Sequence, residues 1–355
     1  MKLLIVTQAV DTEDPVLGFF CRWVEEFAKH AESIEVICLK EGKHGSLPAN
    51  VCVHSLGKER ETAENTTIYR SVLRRLRYAI RFKLLAWRLR RDYDSVFVHM
   101  NEEYVFIGGL LWKLLGKRVM LWRNHPKGGW VTDVAVRLSH VVYATSPHSY
   151  VYTRFPGKTR LMPVGIDTDQ FVADTAIARN PRSILFFGRI SPVKRVDVFL
   201  KAVALLKARG VLCEVYIVGS PHNPGDEDYQ ASLRSFVETN ELSQMVTWSP
   251  SIPHHEVSKL YSGHAILANL TATGSLDKTL FEAMSCGMLV ATTNEALRGE
   301  IPDSFLAEDT DDGVARCVQG LLAMPAEDRR TSAAALREFV VRHHSLEDLA
   351  NKIFL

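Results

Sequence analysis

Two series of short, nearly unbroken apolar runs alternate with helical stretches along the chain, and that alternation leaves few folds open. The first series is LLIVT (3–7), IEVICL (34–39), VCVHSL (51–56), VFVHM (96–100), VMLW (119–122) and VVYAT (141–145). The second is ILFFG (184–188), CEVYIVG (213–219), MVTW (245–248), AILANL (265–270), MLVAT (288–292) and SFLAE (304–308). Runs of this kind, apolar at successive positions and separated by helices, belong to parallel sheets covered on both faces. Two series joined by a polar connector after PVGID (163–167) predict an α/β chain of two Rossmann-like, doubly wound domains facing a cleft. The expected boundaries are 1–165, 166–340 and a short amphipathic C-terminal helix, 341–355.

Composition narrows the partners. The chain has 355 residues and a net charge of +2, so bulk charge gives no reason to expect nucleic acid. The six cysteines stand at positions 21, 38, 52, 213, 286 and 317, with no C-x-x-C pair and no metal-like spacing. Reduced thiols in a cytosolic protein are the expectation. The first residues enter a strand directly, without the charged and apolar regions of a signal peptide. No apolar run approaches the length of a membrane span. The expected location is therefore the cytosol, with the inner face of the membrane as a peripheral site. The segment 70–91 is the reason for that addition. It carries nine Arg and Lys and no acid. On a helix it places Arg70, Arg74, Arg77, Arg81 and Arg88 on one face, suited to anionic headgroups. Val72, Leu76, Ala79, Ile80, Ala86 and Trp87 fall on the other, which is expected to pack on the sheet.

Three stretches carry chemistry. TATGSLDKTLFEAMSCG (271–287) follows an apolar strand and opens a helix, so 274–282 lies where a parallel strand ends and a helix begins. Ligands of open α/β sheets bind at such ends, and a helix N-terminus there suits an anion. GRISPVKR (188–195) likewise follows a strand, and Arg189 with Lys194 supplies two cations for a pyrophosphate. His99 and His125 each end a strand of the first series. A histidine there can meet a substrate hydroxyl or move a proton. His125, in a loop shaped by Pro126, Gly128 and Gly129, is the better candidate. Gly18, near the start of the first helix, is either an ordinary helix-start glycine or a point of close approach for a phosphate. The first strand carries no G-x-G-x-x-G, which argues against a dinucleotide oxidoreductase.

PVGID…F (163–171), GRISPVKRVD (188–197), IVG (217–219) and GSLDKTLFEAMSCG (274–287) stand in the order and spacing of glycosyltransferase family 4, and the chain resembles that family over nearly its whole length. The resemblance implies a retaining, metal-independent GT-B enzyme that uses a nucleotide-sugar donor, of the UDP or GDP type among others, and no further cofactor. It implies that Arg189 and Lys194 neutralise the donor diphosphate and that Glu282 accepts from the ribose hydroxyls. Amides around Lys278, Thr279 and Leu280 would hold phosphate and sugar oxygens. The segment 248–251, ending at Ser251, would lie beside the base. Gly18 would approach the diphosphate, and His125 would meet the donor sugar or the reacting centre.

The chain departs from the family at one position. The family carries a glutamate eight residues before Glu282, and Gly274 stands there instead. Asp277 either supplies the missing carboxylate at the reacting sugar or caps the following helix. A variant of the family reads G-S-x-D-K at this place. The acceptor is expected to be a sugar or a lipid-linked saccharide, as in cell-surface polysaccharide synthesis. A nucleotide-sugar-binding protein that has lost catalysis is the alternative.

Overall fold

The computed structural model describes residues 1–14, 16–60 and 68–355, with the backbone alone for 68–72. The chain divides after Gly165 into two compact units, 1–165 with 346–355, and 166–345.

In the first unit the order is β1 (Lys2–Val10), α1 (Phe20–Ala28), β2 (Ser33–Glu41), β3 (Val51–Ser55), α2 (Ile68–Arg88), β4 (Ser95–His99) and α3 (Glu102–Leu114). Then come β5 (Arg118–Trp122), α4 (Trp130–Leu138), β6 (Val141–Ala144), α5 (Tyr150–Arg154) and β7 (Thr159–Leu161). All seven strands are parallel, in the order β3-β2-β1-β4-β5-β6-β7. Consecutive residues of β1 point to opposite faces, as strand geometry requires. Leu3 and Ile5 enter one core with Phe20, Trp23 and Phe27 of α1. Leu4 and Val6 enter the other, with Phe82 of α2 and Trp112 of α3. The last helix, α12 (Leu346–Phe354), closes the first of these cores with Leu346, Leu349, Ala350 and Ile353. The link into the second unit is shaped by Gly165, whose φ of 74° favours glycine. A β-carbon there would also collide with Leu349 and Trp23.

The second unit runs β8 (Asn180–Phe187), α6 (Val196–Ala208), β9 (Glu214–Val218), α7 (Pro224–Thr239), β10 (Val246–Ser249), α8 (Val257–Gly263) and β11 (His264–Asn269). It continues with α9 (Lys278–Ser285), β12 (Leu289–Thr292), α10 (Asp311–Ala323) and α11 (Ala326–His343). Its five strands are parallel in the order β10-β9-β8-β11-β12. Strand order therefore reverses between β8 and β11 here, and between β1 and β4 in the first unit. A crevice opens at the carboxyl ends of the strands at such switch points.

Three expectations change. SFLAE (304–308) is not a strand: it contributes a single bridge from Leu306 to Thr292 after a short 3₁₀ turn. β7 was not expected, because three residues with an exposed end carry little apolar signal. The returning tail begins at Leu346 rather than 341, since α11 runs on to His343.

A fourth correction concerns α2. Its packed stripe is Tyr78, Phe82 and Ala86, continued by Leu89 just past its end, at spacings of four, four and three. The side expected to pack on the sheet is instead largely exposed: Leu76, Ile80 and Trp87 are open to solvent. The large aromatic rings of Tyr78 and Phe82 fill the space over the sheet, which leaves the aliphatic side of the helix outward. Arg74, Arg77, Arg81 and Arg88 are exposed, and the side chain of Arg70 lies outside the described residues. Of the cysteines, Cys21, Cys38, Cys213 and Cys286 are buried free thiols, whereas Cys52 is exposed.

Candidate functional site

The switch point of the second sheet is built by the loops after β8 and β11. Gly188 follows β8 with a φ of 139°, and its N–H donates to the Val218 carbonyl at the end of β9 (3.1 Å). Gly219 packs directly on the Gly188 carbonyl, where a β-carbon would not fit. This glycine pair fixes where the loop 188–195 leaves the sheet. Arg189 comes next and is exposed. Among the described residues it makes no ion pair. Pro192–Lys194 forms a 3₁₀ turn, and Arg195, in the left-handed region at φ 58°, turns the chain into α6.

The loop after β11 answers it. Asp277 is the N-cap of α9: its side chain accepts from the Thr279 N–H (3.3 Å) and from the Thr279 hydroxyl (3.1 Å) through Oδ1. Its Oδ2 accepts from Asn269 (3.1 Å), from the Thr271 hydroxyl (3.1 Å) and from the ammonium of Lys194. Asp277 and Lys194 are both largely buried, with side-chain exposures of 12% and 20%. Burial alone would raise the Asp277 pKa. The adjacent Lys194 and the donors around the carboxylate outweigh it and hold the group well below the usual range. The Leu280 N–H also turns to Asp277, donating to its backbone carbonyl (3.2 Å). Two of the three helix-start positions expected to hold an anion thus have their amides directed at Asp277. Lys278, half-buried, has its pKa lowered to about 7 by burial, opposed by Glu282 one turn along the same helix.

Glu282 is buried. Tyr261, at the end of α8 and fully buried, donates its hydroxyl to Oε2 (3.2 Å). His254 approaches Oε1 at 3.5 Å, and Phe171 presents an edge-on contact to the His254 ring. Ser251 is exposed just past β10, where its N–H donates to the Ser220 hydroxyl (3.0 Å). Gly274 is buried with a φ of 135°, so no side chain is easily accommodated there.

In the first unit, His125 lies past the end of β5 and is exposed. Its Nδ1 accepts from the Lys127 N–H (3.0 Å), a local turn that sets the ring's orientation. The loop is anchored from beneath by a buried pair, Arg123 with Glu102 (2.8 Å), and Arg123 also donates to the Lys127 carbonyl (3.1 Å). His99, by contrast, is buried at the end of β4, its ring stacked on Phe20 at 4.3 Å. Gly18 is buried in the turn before α1, and its N–H is given to the Asp14 carbonyl (2.9 Å). It can offer close approach, but not a free donor.

Lys194, Asp277 and Thr279 are brought together by these contacts, and Asn269, Thr271, Tyr261 and His254, none of them a predicted site residue, join them. Asn269 had a readable signal, a polar residue closing an otherwise apolar strand. Tyr261 had none, because a buried tyrosine on a helix reads as core.

Residues 167–333 match the model of the glycosyl transferases group 1. The D-inositol 3-phosphate glycosyltransferase of Kineococcus radiotolerans is 27% identical over 201 residues, 53% of this chain and 45% of that protein. The enzyme of the same name from Paenarthrobacter aurescens is 31% identical over 113 residues, 31% of this chain and 27% of that protein. The chain spans less than half the length of these curated relatives. Solved structures cover it more fully. Sucrose-phosphate synthase from Thermosynechococcus elongatus superposes with a TM-score of 0.79 at 16% identity, over 99% of this chain and 97% of that one. The Anabaena HepE protein in complex with UDP gives 0.75 at 15% identity, over 99% and 98%. The chain has the GT-B fold. Each half of that fold is one of the doubly wound units described above, and the group 1 match falls on the unit that holds Arg189, Lys194, Asp277 and Glu282.

Proposed function

We propose that the protein is a retaining, metal-independent glycosyltransferase that moves a sugar from a nucleoside-diphosphate sugar to an acceptor. One juxtaposition carries this reading. At the switch point of the second sheet, the loop after β8 brings Lys194 onto Asp277 at the start of α9, with Arg189 exposed in the same loop. Breaking the bond between sugar and diphosphate develops negative charge on the phosphate. Cations fixed beforehand stabilise that charge without reorganising during the reaction. Arg189 grips phosphate oxygens. Lys194, anchored by Asp277, keeps its remaining N–H donors for the same group. Glu282, oriented through Tyr261, accepts from the ribose hydroxyls. The group 1 match over 167–333 supports the same assignment. The UDP held by the Anabaena neighbour makes a uridine nucleotide the first to test. Front-face attack, with the leaving phosphate taking the acceptor's proton, gives retention. A lipid-linked or cell-surface saccharide is the acceptor class this reading favours.

Gly274 and the fully engaged oxygens of Asp277 favour a second reading, a protein that binds the donor and transfers slowly or not at all. Calorimetric binding and thermal shift with UDP-, GDP-, ADP- and dTDP-sugars test both, with Arg189→Ala alongside. One nucleotide class is expected to raise the melting temperature of the wild type and not of the variant. Product anomer analysis and donor hydrolysis then separate transfer from binding alone. If no nucleotide sugar shifts melting at millimolar concentration, both readings fall.

A further inference from the structure

α2 carries two apolar stripes, and only one of them packs on the protein. Tyr78, Phe82, Ala86 and Leu89 are buried against the first unit's core. Leu73, Leu76, Ile80, Leu84 and Trp87 form a second stripe at spacings of three, four, four and three, and each is between 47% and 63% exposed. At 3.6 residues per turn, roughly 100° per residue, this stripe lies about half a turn round from the packed one and so points straight outward. Five large apolar side chains in a row on one exposed face are not the scattered exposure of an ordinary surface.

What borders the stripe identifies its partner. Arg77 and Arg88 flank it on one side, and Lys83 and Arg90 on the other. Arg90 also lies over the Trp87 ring at 4.4 Å, holding the indole at the edge of the stripe. Across α2 the only charges are positive. An apolar centre between two rows of cations matches the cross-section of an anionic bilayer surface, where aliphatic groups enter the acyl boundary and cations stay at the phosphates. No helix among the described residues is long and apolar enough to cross a membrane, so the contact would lie in the plane of the interface. We infer that the first unit docks on anionic phospholipid bilayers through Leu73, Leu76, Ile80, Leu84 and Trp87 of α2. This differs from an electrostatic contact through the arginine face alone, because the apolar stripe provides insertion and the cations provide orientation and charge preference. It also stands apart from the transferase reading, which can fail without affecting it.

Flotation of the full chain with phosphatidylcholine vesicles, with and without about a third phosphatidylglycerol, tests the inference. Binding is expected on the mixed vesicles and not on phosphatidylcholine alone. Leu76→Ser/Ile80→Ser/Leu84→Ser should weaken binding by about tenfold or more at low salt. It should melt like the wild type, since the three side chains are exposed. Lys83→Gln/Arg88→Gln should weaken binding and reduce its salt dependence. Tryptophan emission should shift to the blue on binding in the wild type, and by clearly less in Trp87→Phe. Failure to float at low salt would overturn the inference, as would a triple variant that binds like the wild type. So would a wild-type dimer that the triple substitution dissociates, because the stripe would then be covered by a second copy.

Discussion

The ammonium of Lys194 donates to Oδ2 of Asp277 across 83 positions of sequence, joining the loop after β8 to the first turn of α9. Removing one member of a largely buried pair leaves the other uncompensated, which is worse than removing both. Lys194→Met is therefore expected to lower unfolding stability by about 3 kcal/mol. Lys194→Met/Asp277→Asn should recover most of that loss, because asparagine still caps the helix. If Lys194 meets the donor diphosphate as proposed, the double variant should nevertheless fail to regain nucleotide affinity, since the cation is gone. Urea unfolding and calorimetry on the three proteins check this. Equal stability of the single and double variants would show that the pair is not coupled.

Gly219 and Gly188 couple the ends of β9 and β8 through backbone rather than charge. A β-carbon at 219 would fall on the Gly188 carbonyl oxygen, and the φ of 156° resists any side chain. Gly219→Ala should cost about 2–4 kcal/mol. If Arg189 grips the donor phosphates as proposed, it should also weaken nucleotide binding, because the displaced strand end carries Arg189 with it. Gly320→Ala, where the added carbon meets open space, is the control and should leave both properties near wild type.

Much of this was legible in the sequence, and for a physical reason. Strands buried on both faces must be apolar at every position, so eleven of the twelve apolar runs fall on strands. β7 escaped because a short strand at the sheet edge needs no such pattern. The run 304–308 misled because Phe305 and Ala307 are buried by a turn rather than a ladder. In the candidate site, the glycine and cations after β8 and the stretch after β11 lie in the two loops that Lys194 and Asp277 join. What sequence left open was which partner each group takes. Asp277 caps α9 through Thr279, and Asn269, Thr271 and Lys194 converge on its other oxygen from elsewhere in the chain, contacts that no local pattern announces. On α2, period alone offered two apolar sides, and the rings of Tyr78 and Phe82 decided between them.

Tyr261 offers a test of how Glu282 is held. Its phenol is fully buried, its pKa pushed up first by burial and then by Glu282 and Asp277, and its hydroxyl donates to Oε2. Tyr261→Phe removes one donor from a buried carboxylate, a loss of about 1–3 kcal/mol. If Glu282 binds ribose, the donor KM should rise several-fold with little change in kcat, because the contact is the same in ground and transition states. Glu282→Gln should reproduce that pattern more strongly. A fall in kcat at unchanged KM in either variant would place Glu282 at the reacting centre instead.

His264, at the start of β11, should make the second unit sensitive to mild acid. Its ring packs on Tyr216 at 4.5 Å, and its Nδ1 is buried with no partner. Burial, reinforced by Arg179 and opposed by Glu214, lowers its pKa from 6.5 to about 4. The folded chain therefore keeps the ring neutral while the unfolded chain protonates it below 6.5. The stabilisation is complete above pH 6.5 and is lost progressively as pH falls toward 4, amounting to about 2 kcal/mol between pH 7 and pH 5. Asp277, whose pKa is depressed below 3.8, stays ionised throughout that window and adds nothing to the slope. Urea unfolding of the wild type at pH 7 and pH 5, beside His264→Phe, isolates the effect. The variant should lose less stability on acidification than the wild type by roughly that 2 kcal/mol. Parallel losses in the two proteins would mean that the ring is already solvated in the native state.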